Sequence, residues 1–316
     1  MLPTKTLVVL ALASVATAAA AQETKVAIGL SGWTGFAPLT LAKEAGLFKK
    51  HGLDVTLRKI PQKDRHLAIA SGDVQCAATT VETWIAWNAN GVATTQIFQL
   101  DKSYGADGMV VKPNIAKIAD LKGKTVAASA PGTAPYFTLS WFLAKNGVSV
   151  KDVKVVNLEP QAAANAMIAG TSDLDAAMTY EPYLSSVRAK PEAGKIIATT
   201  LDYPMVMDTV GCTPRFLADN PKAAKALADA YFDALEMIRN DPKKSFEIMG
   251  ADVKQTGEQF EASQKYLRWQ DKAANQKFFS GEHAQFSKEA AQLLLDTGVI
   301  KQIPDLSKLA DTRFIQ

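Results

Sequence analysis

Three acidic residues occupy loops in which a ligand site would form. Glu82, Asp107 and Glu181 each lie in a segment that follows a predicted strand. A carboxylate that faces a closed pocket is costly unless a cation or a hydrogen-bond donor meets it. The only lysine or arginine in these loops is Lys102. The acids therefore predict a solute with an amine or guanidinium end, and the alternative is that each acid caps a helix or pairs locally.

Two glycine-rich turns lead into predicted helices and offer a second kind of contact. Residues 29–36 (GLSGWTGF) precede a helix that starts near Pro38, and residues 129–135 (SAPGTAP) precede a helix over 136–146. The N–H groups and the dipole at a helix start favour an anion or a polar oxygen, whereas neighbouring aromatic rings would suit a cation. The alternative is a tight turn whose aromatics only pack. The predicted ligand-binding residues are Ser31, Trp33, Thr34, Phe36, Thr79, Thr80, Glu82, Asp107, Thr133, Tyr136, Tyr180 and Glu181.

Catalytic and metal chemistry find little support in the sequence. The three histidines, His51, His66 and His283, fall in separate predicted segments, so no His–acid–nucleophile set converges. The motifs G-x-S-x-G, H-E-x-x-H and C-x-x-C are missing, and the glycine spacing is not that of a dinucleotide site. We therefore expect a binding protein with no catalytic residue, no metal and no cofactor.

The elements that would position these residues alternate between strand and helix. This order predicts two α/β lobes, each a mostly parallel sheet flanked by helices, with a two-strand hinge near 99–108 and 201–204. Because ligands bind outside the carboxyl ends of such strands, the loops of two facing lobes would line one cleft. Strands are predicted at 25–28, 53–58, 74–78 and 94–100, and the order recurs at 125–128, 153–158 and 174–179.

The C-terminal third is predicted to be helical. Asn220 and Pro221 are typical of a helix cap and of the first helical position, and an apolar stripe follows them. Helices over 259–269 and 287–297 would complete the first lobe.

The N-terminus predicts export. Lys5 precedes an apolar run over 6–16, and Ala21 ends a small-residue cleavage site, which is the order of a signal peptide. No later apolar run is long enough to span a bilayer. The net charge of +3 over 316 residues argues against a nucleic-acid partner. Cys76 and Cys212 are the only cysteines, and the sequence leaves open whether they form a disulfide or two buried thiols.

Five blocks together resemble one family, the periplasmic solute-binding proteins of ABC importers, in the nitrate/sulfonate/taurine-type group that also includes thiamine-precursor binders. Beyond residue 184 the likeness is only one of general character. The blocks are 32–38 (GWTGFAP), 44–55 (EAGLFKKHGLDV), 70–74 (ASGDV), 120–127 (DLKGKTVA) and 175–184 (DAAMTYEPYL).

The resemblance implies a type II periplasmic-binding-protein fold that closes about a hinge and traps a solute. It implies delivery to a permease and an ATPase at the inner membrane, by a monomer free in the periplasm. We expect a signal peptide at 1–21, a first lobe at 22–106 and 209–316, and a second lobe at 107–208. An amine-bearing sulfonate such as taurine, or an amine or guanidinium compound, is preferred over a bare anion.

Two alternatives use the same fold. One is a biosynthetic enzyme of the thiamine-pyrimidine type, whose relatives carry a cysteine-rich C-C-C-F-C stretch that this sequence lacks. The other is a domain that senses a ligand for a signalling receptor.

Overall fold

A computed structural model describes residues 23–170 and 173–316, so the predicted signal peptide lies outside the described residues. The strands are β1 Thr24–Leu30, β2 Leu53–Lys59, β3 Cys76–Thr80, β4 Thr95–Ser103, β5 Asp107–Val111, β6 Thr125–Ala128, β7 Lys154–Asn157, β8 Ala176–Tyr180, β9 Lys195–Thr199, β10 Met207–Cys212 and β11 Leu267–Trp269. The α-helices are α1 Ala37–Glu44, α2 Leu47–Lys50, α3 Gln62–Ser71, α4 Val81–Ala89, α5 Ala134–Lys145, α6 Pro160–Ile168, α7 Tyr183–Arg188, α8 Pro214–Asp219, α9 Pro221–Asn240, α10 Pro242–Asp252, α11 Gly257–Gln264, α12 Lys272–Lys277 and α13 His283–Asp296.

Two mixed sheets form the two lobes, which confirms the predicted α/β architecture. The sheet of lobe 1 has the order β11-β4-β10-β3-β1-β2, and the sheet of lobe 2 has the order β7-β6-β8-β5-β9. β1 pairs in parallel with β2 and β3, and β6 pairs in parallel with β7 and β8. β10 and β5 run antiparallel to both of their neighbours. Four of the six strands of lobe 1 and four of the five strands of lobe 2 therefore run in one direction; β10 and β5 are inserted against them, and β11 is antiparallel at the edge of lobe 1.

The chain passes between the two sheets at two neighbouring connections. The first joins β4 to β5 through residues 104–106, and the second joins β9 to β10 through residues 200–206. They are hydrogen-bonded to each other, since the Ser103 N–H donates to the Val206 carbonyl at 3.0 Å and the Thr200 N–H donates to the Asp107 carbonyl at 3.0 Å. The pairing of the connections couples the positions of the two lobes.

Each sheet buries its own apolar core. Residues of β1, α1, α9 and α10 pack over the first sheet, with Leu39, Leu227 and Tyr231 fully buried. The second core lies over β5, β6 and α5 and also takes in residues of α4 and α13, among them Ile85 and Ala290. The C-terminal helix α13 thus packs against α4 and α5 together.

The structure corrects two expectations about local structure. The helix predicted over 259–269 ends at Gln264, and residues 267–269 form β11, an edge strand paired with β4. The helix after Asn220 begins at Pro221 as predicted, but the Asn220 side chain donates to the Phe216 carbonyl at 3.5 Å instead of capping the helix. A segment of three residues is too short to show a periodicity, and the pairing of Leu267–Trp269 with β4 makes it a strand.

The cysteines face each other across two antiparallel strands. Cys76 of β3 lies opposite Cys212 of β10, and the two sulfurs form a disulfide in the core of lobe 1. The structure therefore selects the first of the two states that the sequence left open. Among the described helices, none is both long and apolar enough to cross a membrane.

Candidate functional site

A small cavity of about 20 Å³ lies between the two lobes, where the parallel strands end. Ser31 follows β1, Thr80 ends β3 and Tyr180 ends β8, so the cavity sits outside the carboxyl ends of strands from both sheets, as the fold predicts. Its remaining lining comes from helix starts and from the two antiparallel strands. The lining residues are Ser31, Trp33, Phe36, Gln62, Arg65, Thr80, Asp107, Ala134, Tyr180, Val206 and Asp208.

Two aspartates reach the cavity from the inserted antiparallel strands. Asp107 begins β5 opposite Tyr180, and Asp208 is the second residue of β10 opposite Thr80. An antiparallel strand begins at the edge where its parallel neighbours end, which explains why both carboxyls arrive there. Burial raises the pKa of Asp107 to about 7, although a hydrogen bond with Ser103 opposes the rise. One carboxyl oxygen of Asp107 has no hydrogen-bond partner.

Asp208 belongs to a wider group of buried carboxyls. Burial and the neighbouring Asp101 and Asp107 raise the pKa of Asp208 well above its usual value. Burial also raises the pKa of Asp101, whose carboxyl accepts hydrogen bonds from the Trp33 indole N–H at 3.2 and 3.4 Å. Trp33 thus connects the lining of the cavity to an acid behind it.

Glu82 is buried beside the cavity lining. Its carboxyl accepts a hydrogen bond from the Thr80 hydroxyl, and burial raises its pKa to about 7. Its second oxygen has no partner. This end of the cleft is therefore rich in carboxyl oxygens and holds few donors.

Arg65 supplies the positive charge in the cavity lining. Its side chain is buried, its Nε donates to the Ile60 carbonyl at 2.9 Å, and its Nη1 donates to the Ala78 carbonyl at 2.6 Å. Burial lowers its pKa to about 10, so the guanidinium stays charged at neutral pH. Gly29 makes room for this side chain, because a Cβ there would lie 3.2 Å from Arg65 Cγ.

Three glycines of the opening loop make room for neighbouring side chains. None of Gly29, Gly32 and Gly35 has a positive φ, so the chain does not need them to turn. Each instead admits a neighbouring side chain, and the closest approach is at Gly35, where a Cβ would lie 2.2 Å from Asp101 Oδ2.

Two hydrogen bonds cross the cleft at the helix starts that the sequence singled out. The Gln62 side-chain oxygen accepts from the Ala134 N–H, the first residue of α5, at 3.1 Å. The Thr34 N–H, in the 3₁₀ turn before α1, donates to the Glu181 carbonyl at 3.3 Å. The Gln62 side-chain amide also donates to the hydroxyls of Thr79 and Thr83 at 2.7 and 3.0 Å. Both lobes are therefore held together around the cavity.

Of the twelve predicted residues, half line the cavity. These are Ser31, Trp33, Phe36, Thr80, Asp107 and Tyr180. Thr34, Thr79 and Glu82 are buried directly behind them. Thr133 lines a neighbouring cavity that also includes Gln62, and the half-buried Tyr136 follows it in α5.

The carboxylate of Glu181 is bound by residues of its own lobe and does not line the cavity. Its fully buried carboxylate forms an ion pair with Arg188 and accepts from the Ser185 N–H at 3.1 Å, inside α7. Local pairing, the alternative that the sequence left open for each acid, is the arrangement found here.

Sequence reasoning missed Gln62, Arg65 and Asp208. The first two lie in the first turn of α3, which starts just after β2 ends. Asp208 follows the second connection between the lobes, just as Asp107 follows the first. That symmetry is the signal that could have found Asp208, because the first residues of both strands must reach the same cleft.

The histidines lie apart from the cavity lining. His51 pairs with Asp233 at 3.0 Å, His66 lines the neighbouring cavity, and His283 is buried against Phe278 and Phe279. Within residues 23–170 and 173–316, no group of three or more potential ligands is arranged to hold a metal ion.

Known proteins resemble this chain in sequence and in fold. The model of the NMT1/THI5-like family matches residues 33–245. The chain is 29% identical to the taurine-binding periplasmic protein of Escherichia coli K12 over 234 residues, which cover 70% of this chain and 69% of that protein.

Solved structures share the fold at lower identity. The alkanesulfonate-binding protein SsuA of Xanthomonas axonopodis pv. citri, bound to MOPS, aligns with a TM-score of 0.76 at 17% identity, covering 93% of this chain and 100% of that one. The periplasmic nitrate-binding protein NrtA of Synechocystis PCC 6803 aligns with a TM-score of 0.65 at 19% identity, covering 90% and 92%. At these identities the likeness establishes the two-lobed fold.

Proposed function

The chain belongs to the NMT1/THI5-like family, and from this premise we propose that it is the extracytoplasmic solute-binding component of an ABC importer. It captures a small polar solute between its lobes and delivers it to a permease and ATPase at the inner membrane. The periplasmic binding proteins among its relatives support this role. Export by a signal peptide, a monomeric state and lobe boundaries at 22–106 with 209–316 and at 107–208 are parts of the same proposal.

The charges of the cavity favour a solute with a cationic end. Asp107 and Asp208 line it, Asp101 and Glu82 stand behind, and none of these four carboxyls has a lysine or arginine ion-pair partner among the described residues. An ammonium group placed between Asp107 and Asp208 would lower their raised pKa values, so that both carboxyls ionise and meet it in a buried site, where such interactions are strong. This excess of buried carboxyls is the observation that carries the proposal.

Arg65 favours an anionic end on the same solute. Its guanidinium is charged, buried and part of the cavity lining, and such a group is suited to sulfonate or carboxylate oxygens. The cavity of about 20 Å³ is far smaller than the roughly 300–1,000 Å³ typical of ligand pockets, so the lobes must separate to admit a solute. We therefore propose an amino-sulfonate such as taurine, with simple amines and guanidines as weaker solutes.

We assign the protein no reaction. The relatives compared above are binding proteins by name, and a binding role needs only enclosure and release. Solute release then follows from separation of the lobes.

Calorimetry with four probes tests this function. Taurine carries both charges, ethylamine carries the cation, ethanesulfonate carries the anion, and nitrate is a bare anion. We expect taurine to bind at least about tenfold more tightly than either single-charge probe, since one charge-assisted hydrogen bond contributes about 1.5–3 kcal/mol. Binding of nitrate or ethanesulfonate more tightly than taurine would overturn the proposal.

A further inference from the structure

Arg188, the last residue of α7, connects the two lobes at the hinge. In lobe 2 its guanidinium forms an ion pair with the fully buried Glu181. Its Nη2 donates to the Gly105 carbonyl at 2.8 Å, within the first connection between the lobes. Its guanidinium carbon also lies 3.9 Å from the ring centroid of Tyr266, which directly precedes β11 of lobe 1. One side chain thus contacts lobe 2, the hinge and lobe 1.

Hydrogen bonds link the two connections of the hinge to each other and to Tyr266. Gly105 has a φ of +95°, a backbone conformation that favours glycine, and its N–H donates to the Thr200 hydroxyl of the second connection at 2.9 Å. The Tyr104 N–H donates to the Tyr266 carbonyl at 2.7 Å. Tyr266 is therefore fixed to the lobe 1 side of the first connection, and Arg188 stacks on it from the lobe 2 side.

We propose that Arg188 is a hinge clamp that favours the closed arrangement of the lobes. Its anchor, Glu181, moves with lobe 2, whereas Tyr266 moves with lobe 1. Rotation about residues 104–106 changes the relation between these two groups, so the stacking and the bond to Gly105 cannot both be kept when the cleft opens. Closure restores them.

The clamp would act on every solute alike. Arg188 is not among the residues that line the cavity, so it is a positioning residue and not a ligand contact. The apparent affinity for a solute scales with the fraction of protein molecules that are in the binding-competent, closed arrangement. Weakening the clamp should therefore lower the affinity for all solutes by one factor. Loss of a cation–π contact of this kind should lower the affinity for each solute by about fivefold.

Three variants test the clamp. Tyr266→Leu removes the stacking surface, and Arg188→Lys keeps the charge beside Glu181 but loses the planar stack. Arg313→Lys is the matched control, because Arg313 also lies over an aromatic ring, that of Phe314 at 5.5 Å, and pairs with an acid, Asp311, outside residues 104–106 and 200–206. Thermal melts of all three establish that they fold, and Arg188→Lys remains informative if Tyr266→Leu does not.

Small-angle X-ray scattering of the protein without added solute is the primary measurement, and it does not depend on the proposed function. We expect a larger radius of gyration for Tyr266→Leu and Arg188→Lys than for the parent and Arg313→Lys. Identical radii in all four proteins would overturn the clamp. Calorimetry with taurine and ethylamine, which rests on the proposed function, should show both affinities reduced by the same factor. A loss confined to one solute would contradict the proposal.

Discussion

Asp107 and Asp208 occupy matching positions in the two sheets. Each lies within the first two residues of an inserted antiparallel strand, and each strand follows a connection between the lobes. Asp107 faces the last residue of β8, and Asp208 faces the last residue of β3. The fold therefore brings one carboxyl from each sheet to a single small cavity, an arrangement that suits a cationic group.

The pH dependence of stability should report the buried Asp107 carboxyl. Its pKa is raised to about 7, so the folded protein holds a proton that the unfolded chain releases near pH 4. This contribution to stability is fully present below about pH 4 and is lost as the pH rises through about 7. We expect the melting temperature without solute to fall between about pH 6.5 and about pH 8, and to fall less in Asp107→Asn.

Four other groups affect that measurement. Glu82, Asp101 and Asp208 also have raised pKa values and continue to contribute in the variant. Burial lowers the pKa of His283 to about 4, so His283 acts in the opposite direction only below about pH 6.5. Parallel melting curves for parent and Asp107→Asn would contradict the assignment.

The packing at Gly35 should make this position intolerant of a side chain. A Cβ there would lie 2.2 Å from Asp101 Oδ2 and from Trp33 Nε1, and both of those groups are buried. We expect Gly35→Ala to destabilise the protein by about 3 kcal/mol. The control is Gly281→Ala, where a Cβ meets no atom within 4 Å in a helical segment. Equal melting temperatures for the two variants would contradict this packing.

Gln62 should contribute to closure through its contact with lobe 2. Gln62→Ala removes the hydrogen bond to the Ala134 N–H and frees the hydroxyls of Thr79 and Thr83. A hydrogen bond of this kind contributes about 0.5–1.5 kcal/mol, which predicts about a tenfold weaker taurine affinity at most. Gln75→Ala is the control, since the Gln75 side chain is hydrogen-bonded to the backbone of Ala27 and Gly72, both within lobe 1. Equal taurine affinity in the Gln62→Ala variant and the parent would count against the contact.

Glu181→Gln separates the two roles open to this acid. If Glu181 serves as the anchor of Arg188, all affinities should fall by a similar factor and the ratio between taurine and ethanesulfonate should be unchanged. If it contacts the cationic end of the solute, that ratio should collapse. Parallel titrations of the two probes distinguish these results.

Much of the fold and part of the site could be predicted from local patterns. The strand, turn and helix over residues 24–44 and the helix start near 134 follow from alternation, glycine and proline, and these elements place Trp33 and Phe36 at the cleft. The order of elements was sufficient to predict two lobes. The acid at 107 was found because its loop clearly separates two strands.

The remaining site residues depend on topology that local patterns do not carry. Asp208 reaches the cavity only because β10 is inserted between β3 and β4, a pairing of strands that are far apart in the sequence. Arg65 looks like an exposed helix residue, yet Gly29 makes room for it to be buried against carbonyls of lobe 1. Glu181 stands in the expected loop, but Arg188, seven residues on, takes its carboxylate.

Titration of taurine and ethanesulfonate into Asp208→Asn tests the central claim most directly. The variant keeps the shape of Asp208 but removes its charge, and Asp219→Asn, on the exposed end of α8, is the control for net charge. We predict that taurine affinity falls by about 10- to 100-fold in Asp208→Asn while ethanesulfonate affinity is unchanged. Taurine affinity equal to that of the parent would contradict recognition of a cationic group by this cavity.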